Sequence, residues 1–194
     1  MNKIDINRPF QDYYDTEGVR EICHAVKQSK NKAAQKEAIK AIADYLIENY
    51  ELDQNSMFIP APNHTGKAEY TKEIAKMIAK KCGGKICDIV RCTPHLSNYL
   101  QKQRKAKTVT EYFLIKEYPR RGNLFFVDNV VATGETFMAV NSLFDNKLTL
   151  LVYAVDYRAL KEQSIITKFA PAQRKEKNGT EEEKDRTKKF KGTV

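Results

Sequence analysis

Apolar positions recur along this chain in two rhythms. Between residues 16 and 50 the period is helical. Val19, Ile22, Cys23 and Val26 share one face, and Ala38, Ile39, Ile42, Tyr45 and Leu46 share another. The segment Gln28 to Lys32 separates these two predicted helices. The turn Asp53-Gln54-Asn55-Ser56 then leads into Met57-Phe58-Ile59, a short buried strand stopped by Pro60 and Pro62. Proline lacks the N–H that a central ladder needs. Thr65 reads as the N-cap of a helix carried by Tyr70, Ile74, Met77 and Ile78 and ended by Cys82-Gly83-Gly84. Ile86 to Val90 reads as the next strand, and Glu111 to Ile115 as another after a polar, basic stretch from Pro94 to Thr110. Leu124-Phe125-Phe126-Val127 is a continuous apolar run ending in Asp128. Phe137, Val140, Leu143 and Phe144 line a helix face, and Leu148 to Val155 is the last apolar strand.

Strands that are apolar throughout, alternating with amphipathic helices, are buried on both faces. The expected class is therefore α/β, with a central, mostly parallel sheet and helices on both sides. Three parts are expected: a helical N-terminal segment or hood over 1–55, an α/β core over 56–170, and a charged, disordered tail over 171–194. Ligands of such sheets bind beyond the carboxyl ends of the strands. That directs attention to the residues after Ile59, Val90 and Val127.

Composition narrows the class further. The chain has 194 residues, 41% of them apolar, with ten tyrosines and nine phenylalanines, which excludes a wholly disordered polymer. It contains no apolar run of the ~18 residues a membrane span requires. Residues 1–10 lack the apolar core of a secretory signal, so a cytoplasmic location with no membrane partner is expected. Cys82, Cys87 and Cys92 are spaced by five and Cys23 stands apart, which offers no C-x-x-C pair. The net charge is +9, and the charged tail mixes both signs, so it makes a poor nucleic-acid arm.

The most informative stretch is Leu124 to Thr136. A buried strand is followed by the polar pair Asp128-Asn129, then by a Thr-Gly turn opening a helix. A helix start presents unpaired N–H groups and the positive end of the dipole. Gly134 allows close backbone approach, while Thr133 and Thr136 add hydroxyls. Together these form a cradle for a phosphate monoester. A carboxylate and an amide just before it can accept from the vicinal hydroxyls of a sugar.

The run Val127-Asp128-Asn129-Val130-Val131-Ala132-Thr133-Gly134-Glu135-Thr136 resembles the phosphoribosyl-diphosphate signature of type I phosphoribosyltransferases. That signature reads apolar strand, two acids, two apolar residues, two threonines, glycine. Here Asn129 stands at the usual second acid and Ala132 at the usual first threonine. Asn129 keeps hydrogen bonding to ribose and removes a charge. Ile59-Pro60-Ala61-Pro62-Asn63-His64 resembles the strand-end segment of the competence-protein-F-like phosphoribosyltransferases. So does the basic loop of Arg91-Cys92-Thr93-Pro94 and Gln101-Lys102-Gln103-Arg104-Lys105-Ala106-Lys107. The resemblance covers about residues 56–156.

The resemblance implies transfer of a phosphoribosyl group to or from a nitrogenous base with release of diphosphate. Magnesium would arrive on the phosphoribosyl diphosphate. Asp128 and Asn129 would meet the ribose hydroxyls, and Val131, Ala132, Thr133, Gly134, Glu135 and Thr136 would hold the 5′-phosphate. Pro62, Asn63 and His64 would face the diphosphate, with Lys102, Arg104 and Lys105 closing over it. Tyr13, Tyr14, Tyr153, Asp156 and Tyr157 are candidates for contacting the base. Similar proteins are commonly homodimers. The competing expectation is a protein of the same fold that senses a nucleotide, or serves DNA uptake or regulation, without catalysing transfer. Nucleic acid would then be the partner of the basic surface.

Overall fold

The structure, a computed structural model, describes residues 10–27, 30–96 and 110–162. In chain order the elements are β1 (Gln11–Asp12), α1 (Val19–Lys27), α2 (Lys32–Asn49), β2 (Ser56–Pro60) and α3 (Tyr70–Cys82). They continue with β3 (Lys85–Ile86), β4 (Val90–Cys92), β5 (Tyr112–Leu114), β6 (Asn123–Val131), α4 (Glu135–Ser142), β7 (Thr149–Val155) and α5 (Tyr157–Glu162). Five strands form one sheet in the order β1-β7-β6-β2-β3, and every pairing in it is parallel. β4 and β5 form a separate antiparallel pair. The protein is thus α/β with a parallel five-stranded central sheet.

Two apolar clusters cover the two faces of that sheet. Phe58, Phe125, Val127 and Leu151 face α1, α2 and α3, against residues such as Cys23, Ile42, Leu46 and Ile78. Ile59, Phe126, Leu150 and Val152 face Phe137 and Val140 of α4, with Val90 and Leu160 beside them. Each fully buried side chain of this size contributes about 2–3 kcal/mol relative to exposure. The N-terminal helices are one layer of this shared core. Asn31 caps α2 by accepting the Ala34 N–H at 3.0 Å.

Four sequence expectations are corrected. The helix expected from Thr65 starts at Tyr70, because Thr65 is held by its neighbours: its N–H and hydroxyl both donate to Asn63 Oδ1, at 2.8 and 2.6 Å. The strand expected over Ile86–Val90 divides into β3 and β4. Asp88 lies between them and pairs with Lys72 at 2.7 Å and Arg91 at 2.6 Å, drawing the chain away from the main sheet. The apolar run ending at Asp128 continues as strand to Val131. Finally, β1 adds an edge strand beside β7 that has no apolar signal. Residues 171–194 and the basic stretch with Lys102, Arg104 and Lys105 lie outside the described residues. Among the described residues no helix is long and apolar enough to cross a membrane.

Candidate functional site

A parallel sheet puts all its carboxyl ends on one edge, and the order of strands selects a place on it. β2 connects to its neighbour β3 on one side, whereas β6 connects to its neighbour β7 on the other. The direction of winding reverses between β2 and β6, and such a reversal opens a crevice for ligands. The two strands are bonded in register from Ser56↔Asn123 to Pro60↔Val127, and the Ala61 N–H extends the ladder to Val127 O at 2.9 Å. Pro62, Asn63 and His64 therefore leave the sheet beside Asp128 and the turn that follows it.

At the end of β6 the strand's alternation slips. Phe125 and Val127 face one cluster, and Leu124 and Phe126 the other, as alternation requires. Beyond Asn129 the phase is shifted, for Val130 packs on the α1–α3 side and Val131 on the α4 side. β7 shifts at the same level, with Tyr153 and Ala154 in one cluster, so the register survives: Asp128 opposes Val152 and Val130 opposes Ala154. The shift falls on the polar pair. Asp128 Oδ1 accepts the Asn129 N–H at 2.8 Å, and the Val130 N–H also bonds to this carboxyl.

The pair is divided by this geometry. Asp128 is half-buried at the sheet edge. Burial pushes its carboxyl up to about 6, against the lowering pull of the Lys27 ammonium and of the two backbone N–H groups. Asn129 is only 1% exposed. Its Nδ2 donates to the Cys23 carbonyl of α1 at 3.3 Å, and its Oδ1 has no partner. The structure thus places Asn129 against α1. A buried orphan acceptor of this kind costs stability and is unusual.

The turn after β6 has the form of an anion cradle. Gly134 adopts φ 78°, the left-handed conformation that favours glycine, directly before α4. Thr133 Oγ1 accepts the Glu135 N–H at 3.4 Å, leaving its own proton available. Thr136 Oγ1 shares a hydrogen bond with Tyr112 OH of β5 at 3.2 Å. That bond ties the small antiparallel pair to the start of α4. Ala132 and Glu135 are exposed.

The loop after β2 is satisfied from within. Asn63 N–H donates to Lys67 O at 2.9 Å, Gly66 N–H to Asn63 O at 3.0 Å, and Cys92 N–H to Gly66 O at 3.1 Å. His95 N–H donates to His64 O at 3.0 Å, and Cys92 Sγ contacts Asn63 O at 3.3 Å. Pro62 is buried, Asn63 half-buried and His64 exposed.

Sequence patterns did not signal two further neighbours of Asp128. Lys27 ends α1, and its Nζ lies 5.9 Å from the centroid of the Tyr70 ring at the start of α3. Burial first, and the Asp128 charge second, push the Tyr70 hydroxyl up. No local motif announces either residue, since the fold alone brings them to the edge. The expected base contacts are otherwise engaged. Asp156 caps α5, accepting from Arg158 and Ala159 N–H at 3.1 Å each, and Tyr153 is buried edge-on against Tyr45. Tyr13 OH bonds to His24 Nε2 at 3.0 Å, and the Tyr14 ring lies 4.7 Å from Arg158 Cζ. Among the described residues no group of three or more His, Cys, Asp and Glu is arranged to hold a metal ion. No protein-family model and no curated protein matches the chain.

Proposed function

We propose that the protein binds phosphoribosyl diphosphate at the carboxyl edge between β2 and β6 and transfers the phosphoribosyl group to a nitrogenous base, releasing diphosphate. This reading takes the fold as of the type I phosphoribosyltransferase kind. The observation that carries it is the position of Asp128 and the Thr133-Gly134 turn together at the winding reversal of a parallel sheet. In the reaction the bond from ribose carbon 1 to diphosphate oxygen breaks and a bond to the base nitrogen forms. Asp128 accepts from the ribose hydroxyls and, once ionised, stabilises the positive charge developing on the sugar. The turn from Ala132 to Thr136 holds the 5′-phosphate with backbone N–H groups and hydroxyls. Pro62, Asn63 and His64 border the diphosphate.

A ligand-borne magnesium ion suits this donor set. Asp128 is one carboxylate at the edge, and Mg²⁺ is typically bound by one or two carboxylates plus phosphate oxygens. When bound, it neutralises diphosphate charge. Calorimetric titration with magnesium and phosphoribosyl diphosphate tests the reading. Saturable, magnesium-dependent binding followed by base-dependent diphosphate release is expected. Absence of binding overturns it.

One observation favours a second reading. With Asn129 turned to Cys23, Asp128 alone of the pair remains for the ribose. A protein of this fold that senses a phosphoribosyl ligand or nucleotide would need no more. Tight binding without diphosphate release from any of a panel of bases would select that reading.

A further inference from the structure

The helix α1 belongs to no recognisable motif, yet it delivers a cation to the edge just described. Its placement is fixed from two directions. Asn129 Nδ2 bonds to the Cys23 carbonyl at 3.3 Å, and Cys23 Sγ lies 3.8 Å from Asn129 O. Both contacts tie Cys23 to the strand residue next to Asp128. Lys27 is four residues on from Cys23, so it lies on the same helix face one turn further along. There its ammonium rests 5.9 Å from the Tyr70 ring centroid. A cation over an aromatic face is attracted by the ring quadrupole.

The ammonium is unmatched. Among the described residues no carboxylate lies within 4.0 Å of Lys27, although Asp128 is near enough for Lys27 to hold its carboxyl down. An exposed lysine beside a half-buried carboxylate would ordinarily close into an ion pair. Here the ammonium lies instead beside the Tyr70 ring, on a helix anchored to Asn129. A carboxylate and an unpaired ammonium near one another suit a ligand that carries hydroxyls at one end and anionic oxygens at the other.

We propose that Lys27 is an anion-binding residue of the Asp128 edge, positioned by Tyr70 and by the Asn129–Cys23 contact, and that it takes the diphosphate rather than the 5′-phosphate of a phosphoribosyl ligand. The proposal rests on the reading given above. The 5′-phosphate falls to the turn before α4, so the cation beside the sugar carboxylate meets the group attached at carbon 1. Asn129 then acts as a positioning residue: its role is to fix α1.

The test compares three ligands by calorimetry: inorganic diphosphate with magnesium, phosphoribosyl diphosphate with magnesium, and ribose 5-phosphate. Lys27→Met keeps an apolar stem over Tyr70 and removes the charge. It should weaken both diphosphate ligands by about 10- to 100-fold, the range of a charge-assisted bond. Ribose 5-phosphate affinity should stay within about twofold. Lys27→Arg should restore most of the loss, and Asn129→Ala should reproduce the selective loss in weaker form while thermal melting confirms a folded chain. Equal weakening of all three ligands, or of none, overturns the role of Lys27. If the unmodified protein binds none of the three, the phosphoribosyl reading itself fails and this inference with it.

Discussion

The carboxyl ends of β2 and β6 lie side by side, and they solve opposite problems. After β2, the polar groups of Asn63, His64, Gly66 and Lys67 answer one another and reach across to Cys92 and His95. After β6, Asp128 keeps a carboxyl that burial pushes up to about 6, and Asn129 keeps a buried oxygen with no partner. One loop is a frame, complete without a ligand. The other carries unmet polar demand where the strand's facing shifts. Active-site groups commonly cost stability while they serve binding. On the proposed reading, β6 carries the groups that meet the ligand and β2 forms the wall beside them.

The largest test of that contrast is Asp128→Asn. On the proposed reading it should lower turnover about a hundred- to a thousandfold, since it removes the charge facing the sugar. The same substitution should stabilise the ligand-free protein. The folded carboxyl titrates at about 6 against an ordinary 3.8, so folding takes up a proton between these values. Native stability therefore falls as pH rises through that window, by up to ~3 kcal/mol. Asp128→Asn should raise Tm at pH 8 and give no gain below about pH 4. Turnover of the unmodified protein should rise through pH 6 as the carboxyl ionises. A destabilised variant at pH 8 would show that Asp128 is part of the frame.

Gly66→Ala should break the frame instead. Gly66 has φ 93°, and an added Cβ would meet Cys92 O at 2.6 Å. Backbone strain at both points should cost about 2–3 kcal/mol, a fall in Tm of roughly 5–10 °C for a chain of this size. Ligand affinity of the folded fraction should change little. The two substitutions thus cross: one loses function and gains stability, the other keeps binding and loses stability.

The same two regions show what a sequence can disclose. β2, β6 and β7 were legible because Met57–Ile59, Leu124–Val127 and Leu148–Val155 are apolar without alternation, as strands buried on both faces are. Asp128, Thr133 and Gly134 were legible because strand, turn and helix start are contiguous in the chain. The rest depended on distant partners. β1 has no apolar run and exists by pairing with β7. The break between β3 and β4 follows from Asp88 meeting Lys72, sixteen positions earlier by number, and Arg91. Asn129 read as a sugar ligand because it follows Asp128, and only the packing of α1 shows its amide committed to Cys23. Lys27 and Tyr70 reach the edge through helix packing and leave no mark in local pattern.

Thr133→Val sharpens the picture within the β6 region. The swap keeps shape and removes the hydroxyl that accepts the Glu135 N–H. Affinity for phosphoribosyl diphosphate and for ribose 5-phosphate should fall together by about tenfold, the worth of one hydrogen bond to a charged group. That joint loss differs from the selective loss expected of Lys27→Met. Unchanged affinity for ribose 5-phosphate would remove the turn from the phosphate site.

The smallest expected effect is that of His64→Ala, and it bears most directly on the contrast. His64 is exposed, and its structural tie to the fold is its backbone carbonyl, which accepts the His95 N–H. The substitution leaves that bond intact, so Tm should stay within about 1 °C. An exposed side chain bordering a diphosphate is screened by water and contributes about 0.2–1 kcal/mol. Diphosphate affinity, measured by calorimetry with magnesium present, should therefore fall by no more than about fivefold. If it fell by a hundredfold, His64 would hold the ligand as firmly as the β6 turn does. The loop after β2 would then have built its internal hydrogen bonds to present that one side chain, and frame and site would be a single device.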